Sequence, residues 1–143
     1  MFSFFKKKKV SVEKEAPKNL KLIALCLAYE VANANNEIDS KERDLLLSLI
    51  KENIDVSLIS EKDILQIIEE DSKKSISFYN IIRDINKSLN KEEKVDIIKM
   101  LWEVAYADNV LDVDEERIIR RSAEMLGIKP SIVLQTKDQF KVE

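Results

Sequence analysis

A fourteen-residue pattern occurs twice in this chain, and no other feature restricts its fold as strongly. Tyr29-Glu30-Val31-Ala32-Asn33-Ala34-Asn35-Asn36-Glu37-Ile38-Asp39-Ser40-Lys41-Glu42 aligns with Trp102-Glu103-Val104-Ala105-Tyr106-Ala107-Asp108-Asn109-Val110-Leu111-Asp112-Val113-Asp114-Glu115. The offset is 73 residues, and seven of the fourteen positions are identical. Tyr29/Trp102, Asn35/Asp108 and Ile38/Leu111 are chemically close. A unit that recurs in this way has a face it cannot bury alone, so its copies are expected to pack together. The expectation is an all-α compact bundle built from two helix–loop–helix repeats related by an approximate twofold axis.

Apolar spacing supports helices throughout. Leu20, Ile23, Ala24, Leu27 and Val31 recur at three and four, as do Phe78, Ile81, Ile82, Ile85 and Leu89, and Ile97, Ile98, Leu101, Val104 and Ala105. With one Gly and two Pro in 143 residues, few positions interrupt these runs. Pro17 and Pro130 suit first helical turns, and Gly127 suits the residue just past a helix end. Asn90 followed by Glu93 has capping-box spacing. Seven helices are expected, near 17–34, 40–53, 60–71, 76–89, 91–107, 113–126 and 130–139, with 54–60 open to an extended conformation. Residues 1–16 read as a basic, aromatic, flexible tail and 17–143 as the helical domain.

Each copy of the repeat has the same loop logic. The first helix is expected to run to Ala34 or Ala107. Asn36 and Asn109 are placed for a left-handed turn, since Asn accepts positive φ better than most residues. Ile38 and Leu111 turn inward. Asp39 and Asp112 cap the next helix, and Glu42 and Glu115 stand three later, where a capping box needs them.

Composition removes most enzymatic chemistry. A single glycine supplies neither a dinucleotide fingerprint nor a P-loop. Without histidine there is no Ser-His-Asp triad and no imidazole ligand, and one cysteine makes no disulfide or zinc module. A non-enzymatic binding or scaffold module follows, with carboxylates as its chemistry. Asp108, Asp112, Asp114, Glu115 and Glu116 put five acids within nine residues. A divalent cation (Ca²⁺, Mg²⁺ or Mn²⁺) wants several such oxygens, and the candidate set is Asp108, Asp112, Asp114 and Glu115. Asn35, Asp39 and Glu42 are the weaker first-repeat counterpart. The EF-hand register fails, because counting from Asp108 puts Val113 at the glycine position and Ile119 at the bidentate glutamate. Helix capping alone explains Asp112 and Glu115 equally, each acid gaining about 0.3–1 kcal/mol at a helix N-terminus. Two alternatives remain: a carboxylate-metal-dependent enzyme on a helical bundle, and a structural, co-chaperone-like interaction domain without metal. Converging acids in a concave pocket would favour the enzyme, and acids on a convex face the module.

The net charge of −3 is uneven: residues 1–18 carry +4 and the remainder −7. The acidic body argues against nucleic acid as a partner. Protein partners are expected, of a kind the sequence does not encode. No apolar run approaches the roughly 20 residues of a membrane span, and the opening has the wrong order for a secretory signal. Cytoplasmic residence follows, with an optional peripheral contact at the inner face of a membrane. In that contact Phe2, Phe4 and Phe5 enter the interface, and Lys6, Lys7, Lys8 and Lys9 face anionic lipid at ~1 kcal/mol each. Cys26 reads as an inert buried thiol, and Tyr29 and Trp102 as packing residues. Glu30 and Glu103 read as solvated helix charges, with an acid pair across the twofold axis as the alternative.

Glu-Val-Ala-x-Ala-Asp-Asn-x-Leu-Asp-x-x-Glu at 103–115, with its weaker copy at 30–42, resembles the TerB-like superfamily. This group includes tellurite-resistance TerB proteins and the N-terminal domain of DjlA co-chaperones. The resemblance covers about 20–139. It implies an all-helical bundle, a stress-response or tellurite-resistance association, no catalysis, and cation binding by acidic loops in some members. Family members usually carry Asp-Gly after the first helix of each unit, whereas this chain has Asn35-Asn36 and Asp108-Asn109. The first copy therefore lacks one carboxylate. The His-Pro-Asp signature of a J-domain is absent, so co-chaperone activity is not carried over.

Overall fold

A computed structural model describes residues 10–11, 20–74 and 77–140. Seven helices occur among the described residues: α1 (Leu20–Ala32), α2 (Ser40–Asn53), α3 (Glu61–Ser72), α4 (Ser77–Ser88), α5 (Lys91–Ala105), α6 (Val113–Met125) and α7 (Pro130–Phe140). The two-residue strands β1 (Val10–Ser11) and β2 (Ile54–Asp55) pair in parallel, Val10 with Ile54 and Ser11 with Asp55. Residues 10–11, within the segment read as a tail, thus pair with the body. Pro17, Phe2, Phe4, Phe5 and the Lys6–Lys9 run lie outside the described residues.

The fold is arranged around α1. Apart from Lys21 and Glu30 its sequence is without charge and mostly apolar, and residues 22–25, 27–29, 31 and 32 are all buried. A helix with no polar face belongs inside. Accordingly α1 packs against α2, α3, α4, α5 and α6. The sequence reading gave this helix one buried stripe; the packing covers nearly all of it. Leu27, Val31, Leu49, Ile98, Leu101 and Trp102 are closed to solvent at the centre, each worth about 1.5–3 kcal/mol relative to exposure.

Helix ends follow local chemistry. Asn90 caps α5 with a complete capping box. Gly127 adopts φ 76°, its N–H bonds Glu124 O at 3.1 Å and the Ile128 N–H bonds Ala123 O at 2.9 Å. That is the Schellman arrangement at the end of α6. Helices α1 and α5 stop at Ala32 and Ala105, two residues short of expectation. Their last turns tighten instead, with Ala34 N–H to Val31 O and Ala107 N–H to Val104 O both at 3.2 Å.

Candidate functional site: an acidic cleft between two elbows

The connections α1–α2 and α5–α6 form elbows with the same bonds in the same order. Asn33 N–H bonds Tyr29 O at 2.9 Å, and Tyr106 N–H bonds Trp102 O at 3.0 Å. Asn36 and Asn109 turn left-handed at φ 64° and 65°. Asn35 Oδ1 accepts the Glu37 N–H, and Asp108 Oδ1 the Val110 N–H, both at 3.0 Å. Ile38 and Leu111 are half-buried against the core. Asp39 then caps α2 by accepting the Glu42 N–H at 2.7 Å. Asp112 caps α6 by accepting the N–H groups of Asp114 at 2.8 Å and Glu115 at 3.3 Å.

The elbows face each other across a cleft of about 470 Å³, lined by Asp39, Glu42, Asp108, Asp112 and Glu115 with Asn35 and Val110 among them. The acids therefore sit in a concavity, not on the convex face expected of a module. Three polar contacts cross it. Asn35 Nδ2 donates to Asp112 Oδ2 at 3.0 Å. The Asp39 and Asp108 carboxyls meet side chain to side chain. The Glu115 carboxyl donates to Glu42.

Two carboxyl–carboxyl contacts need a proton or a cation between them. Glu115 is only 3% exposed and Glu42 4%. Burial first, then the Glu42 hydrogen bond and the charges of Glu42, Asp112 and Asp108, push Glu115 up to about 10. Burial also raises Glu42, against hydrogen bonds from Glu115 and from the Asp39 N–H that stabilise its charged form. Asp39 is raised by loss of solvent and by Asp108. Asp108 is lowered, chiefly by the bond from Asp39, then by the Val110 N–H and the Lys41 charge. Glu115 thus holds a proton that Glu42 accepts, and the Asp39–Asp108 pair is polarised in the same sense, with Asp39 raised and Asp108 lowered.

The second elbow departs from the sequence reading at Glu115. In the first elbow Glu42 completes the capping box, accepting the Asp39 N–H at 3.2 Å. Glu115 does not make the equivalent bond to Asp112, because its carboxyl reaches across the cleft to Glu42. Asp114 lies outside the cleft, half-exposed and 3.3 Å from Arg117. Asp39 and Glu42, the weaker counterpart in the sequence reading, join Asp108 and Glu115 at the centre. The matching loop pattern at 35–42 and 108–115 was the sequence signal that could have brought these acids together. Glu30 and Glu103 do not meet: Glu30 accepts from Ser72 Oγ at 2.8 Å, and the acid that influences Glu103 is Glu52.

Supporting residues are positioned by the core. Trp102 is fully buried and Tyr29 8% exposed. The Lys137 ammonium lies 5.7 Å from the Trp102 ring centre and bonds Glu116 at 3.0 Å, which also binds Arg120. Cys26 is half-buried, and its thiol is pushed up to about 12, mainly by burial, so it carries no thiolate at neutral pH.

The donor chemistry of the cleft fits a hard divalent cation, since all its charged groups are carboxylates. As the side chains stand, no three His, Cys, Asp or Glu among the described residues are gathered closely enough to hold a metal ion. They are drawn into pairs instead.

An all-α module whose two elbows close on an acidic cleft defines the class of protein. The family described as tellurite resistance protein TerB matches residues 19–138, most of the chain, and the protein belongs to that family. No curated protein and no solved structure matches it. Among the described residues, no helix is long and apolar enough to cross a membrane.

Proposed function

We propose that this protein is a non-enzymatic binding module whose elbow cleft takes up a divalent cation, Ca²⁺, Mg²⁺ or Mn²⁺. The observation that carries the reading is Glu115: a buried carboxyl hydrogen-bonded across the cleft to another carboxyl, Glu42. A cation entering between Glu115, Glu42, Asp39 and Asp108 displaces the shared protons and joins acids from both elbows. Asp112, already engaged by Asn35, supports that set. The cation therefore acts as a staple between two halves of the bundle. Calorimetric titration of each cation tests this. Heat that disappears in Glu115→Gln and Asp108→Asn supports it, and no heat at millimolar cation rejects it.

The concavity of the cleft favours one further reading, a carboxylate-metal-dependent hydrolase. Turnover of a phosphate ester under saturating Mn²⁺, lost in Asp108→Asn, would select it over the module. The family description connects such proteins with tellurite resistance. Growth on tellurite with and without this chain, and with Glu115→Gln, tests whether the cleft serves that response. Cytoplasmic residence is part of the same proposal, checked by fractionation.

A further inference from the structure

The arginines of this chain stand beside carboxylates, with one exception. Arg43 pairs with Glu69 at 3.2 Å, Arg83 with Asp84 at 3.6 Å, Arg117 with Asp114 at 3.3 Å and Arg120 with Glu116 at 2.6 Å. Arg121, exposed on α6, has no carboxylate partner among the described residues. Its Nη2 donates instead to the Tyr79 hydroxyl at 2.9 Å, and its guanidinium carbon lies 6.0 Å from the centre of that ring. Tyr79 is 52% exposed, whereas Tyr29 is buried and Tyr106 is half-buried beside Trp102. Phe78 packs edge to face against the Tyr79 ring at 5.5 Å and steadies it. Tyr79 sits in the first turn of α4, which carries no acid, and a helix start favours negative charge. An unmatched guanidinium, an accessible phenol and an acid-free helix start are the surroundings that suit a phosphate dianion.

We propose that Tyr79 is a phosphorylation site and that Arg121 receives its phosphate, fastening α4 to α6. The co-reactant is a nucleoside triphosphate, brought by a tyrosine kinase. The Tyr79 oxygen bonds to the γ-phosphorus, and the bond from that phosphorus to the β,γ-bridging oxygen breaks. The nucleoside diphosphate leaves, and the phenol proton passes to the carboxylate base of the kinase. The neutral contact from Arg121 then becomes a charge-assisted fork, two N–H donors on phosphate oxygens. Asn86 Nδ2, which donates to Met125 O at 3.1 Å, already joins the same two helices further along. Both helices also pack on α1, so the phosphate closes a triangle of three helices. None of these residues lines the elbow cleft, so the site stands whether or not a cation binds there.

Two measurements test this. The full chain is isolated from the cells that make it, in ordinary growth and under tellurite, and its peptides are read by mass spectrometry. A phosphoryl group on the peptide that holds Tyr79 is expected in at least one condition. Phosphate confined to other residues, or absent in both conditions, overturns the site. The second measurement reads Arg121. The full chain with phosphotyrosine introduced at position 79 during synthesis is titrated by ³¹P NMR at low salt. Its phosphate should titrate about one pH unit lower with Arg121 in place than in Arg121→Gln, as expected for an anion beside an opposite charge. The difference should shrink at high salt. Equal titration at low salt overturns the pairing. If Arg121→Gln disturbs α6, the folded phosphoprotein is compared with the same chain unfolded in urea, and no difference there overturns the pairing as well.

Discussion

The two elbows share their backbone bonds almost one for one, yet they divide the chemistry between them. In the first, Asp39 and Glu42 complete a reciprocal cap, and Asn35 supplies a neutral donor. In the second, Asp112 caps alone, Asp108 replaces the amide with a carboxylate, and Glu115 leaves its helix end to meet Glu42. One elbow has its polar groups largely satisfied, while the other carries an unresolved buried acid. The lesson is that two elbows with matching backbone bonds need not make matching sites. A one-atom change at Asn35/Asp108 decides which side donates a hydrogen bond and which needs a proton or an ion.

The largest effect should come from breaking the equivalence at the aromatic positions. Trp102→Ala is expected to cost about 3–5 kcal/mol, since the ring is fully buried. Tyr29→Ala should cost less because part of its ring already meets solvent, and urea melts of both variants check the order. Next comes the buried acid. Glu115→Gln removes a charge that the fold keeps neutral, so at pH 8 without cation it should stabilise the protein by ~1–3 kcal/mol.

The pH dependence has a definite sign. Between the ordinary 4.5 of Glu115 and about 10, the native state holds a proton that the unfolded chain has released. Cation-free protein should therefore lose stability as pH rises through that window, and Glu115→Gln should flatten the slope. Thermal melts across the window decide it.

Cap removal is the third contrast. Asp39→Ala and Asp112→Ala should each cost about 1 kcal/mol. Asp112→Ala should cost more, because it also strands the Asn35 amide, whereas Asp39→Ala relieves Asp108 of a carboxyl neighbour. The smallest effect is shared. Asn36→Gly and Asn109→Gly should each shift stability by only a few tenths of a kcal/mol, since both sites sit at positive φ, which Asn and glycine both tolerate. Unequal responses there would show that the elbows differ in backbone as well as in side chains.

What the sequence made legible was local. Asn36 and Asn109, Gly127, the Asp39, Asn90 and Asp112 caps and the start at Pro130 all depend on neighbours within a few residues, and all appear where their chemistry puts them. The burial of α1 on nearly every side was implicit in its composition, but periodicity alone describes a single face. The Glu115–Glu42 contact was not legible, because capping-box spacing and a reach across the cleft compete for the same carboxyl and only packing decides. An extended backbone at Ile54 lay within the reading of 54–60, but its burial and its pairing with Val10 depend on a partner more than forty residues away, which no short pattern announces.

Site-resolved carboxyl ¹³C NMR titration of Glu115, without and then with divalent cation, puts the cross-elbow contact to the most direct test. The account predicts titration near 10 in the cation-free protein and a large downward move once cation is bound. A Glu115 that titrates in the ordinary carboxylate range, unmoved by cation, would contradict it.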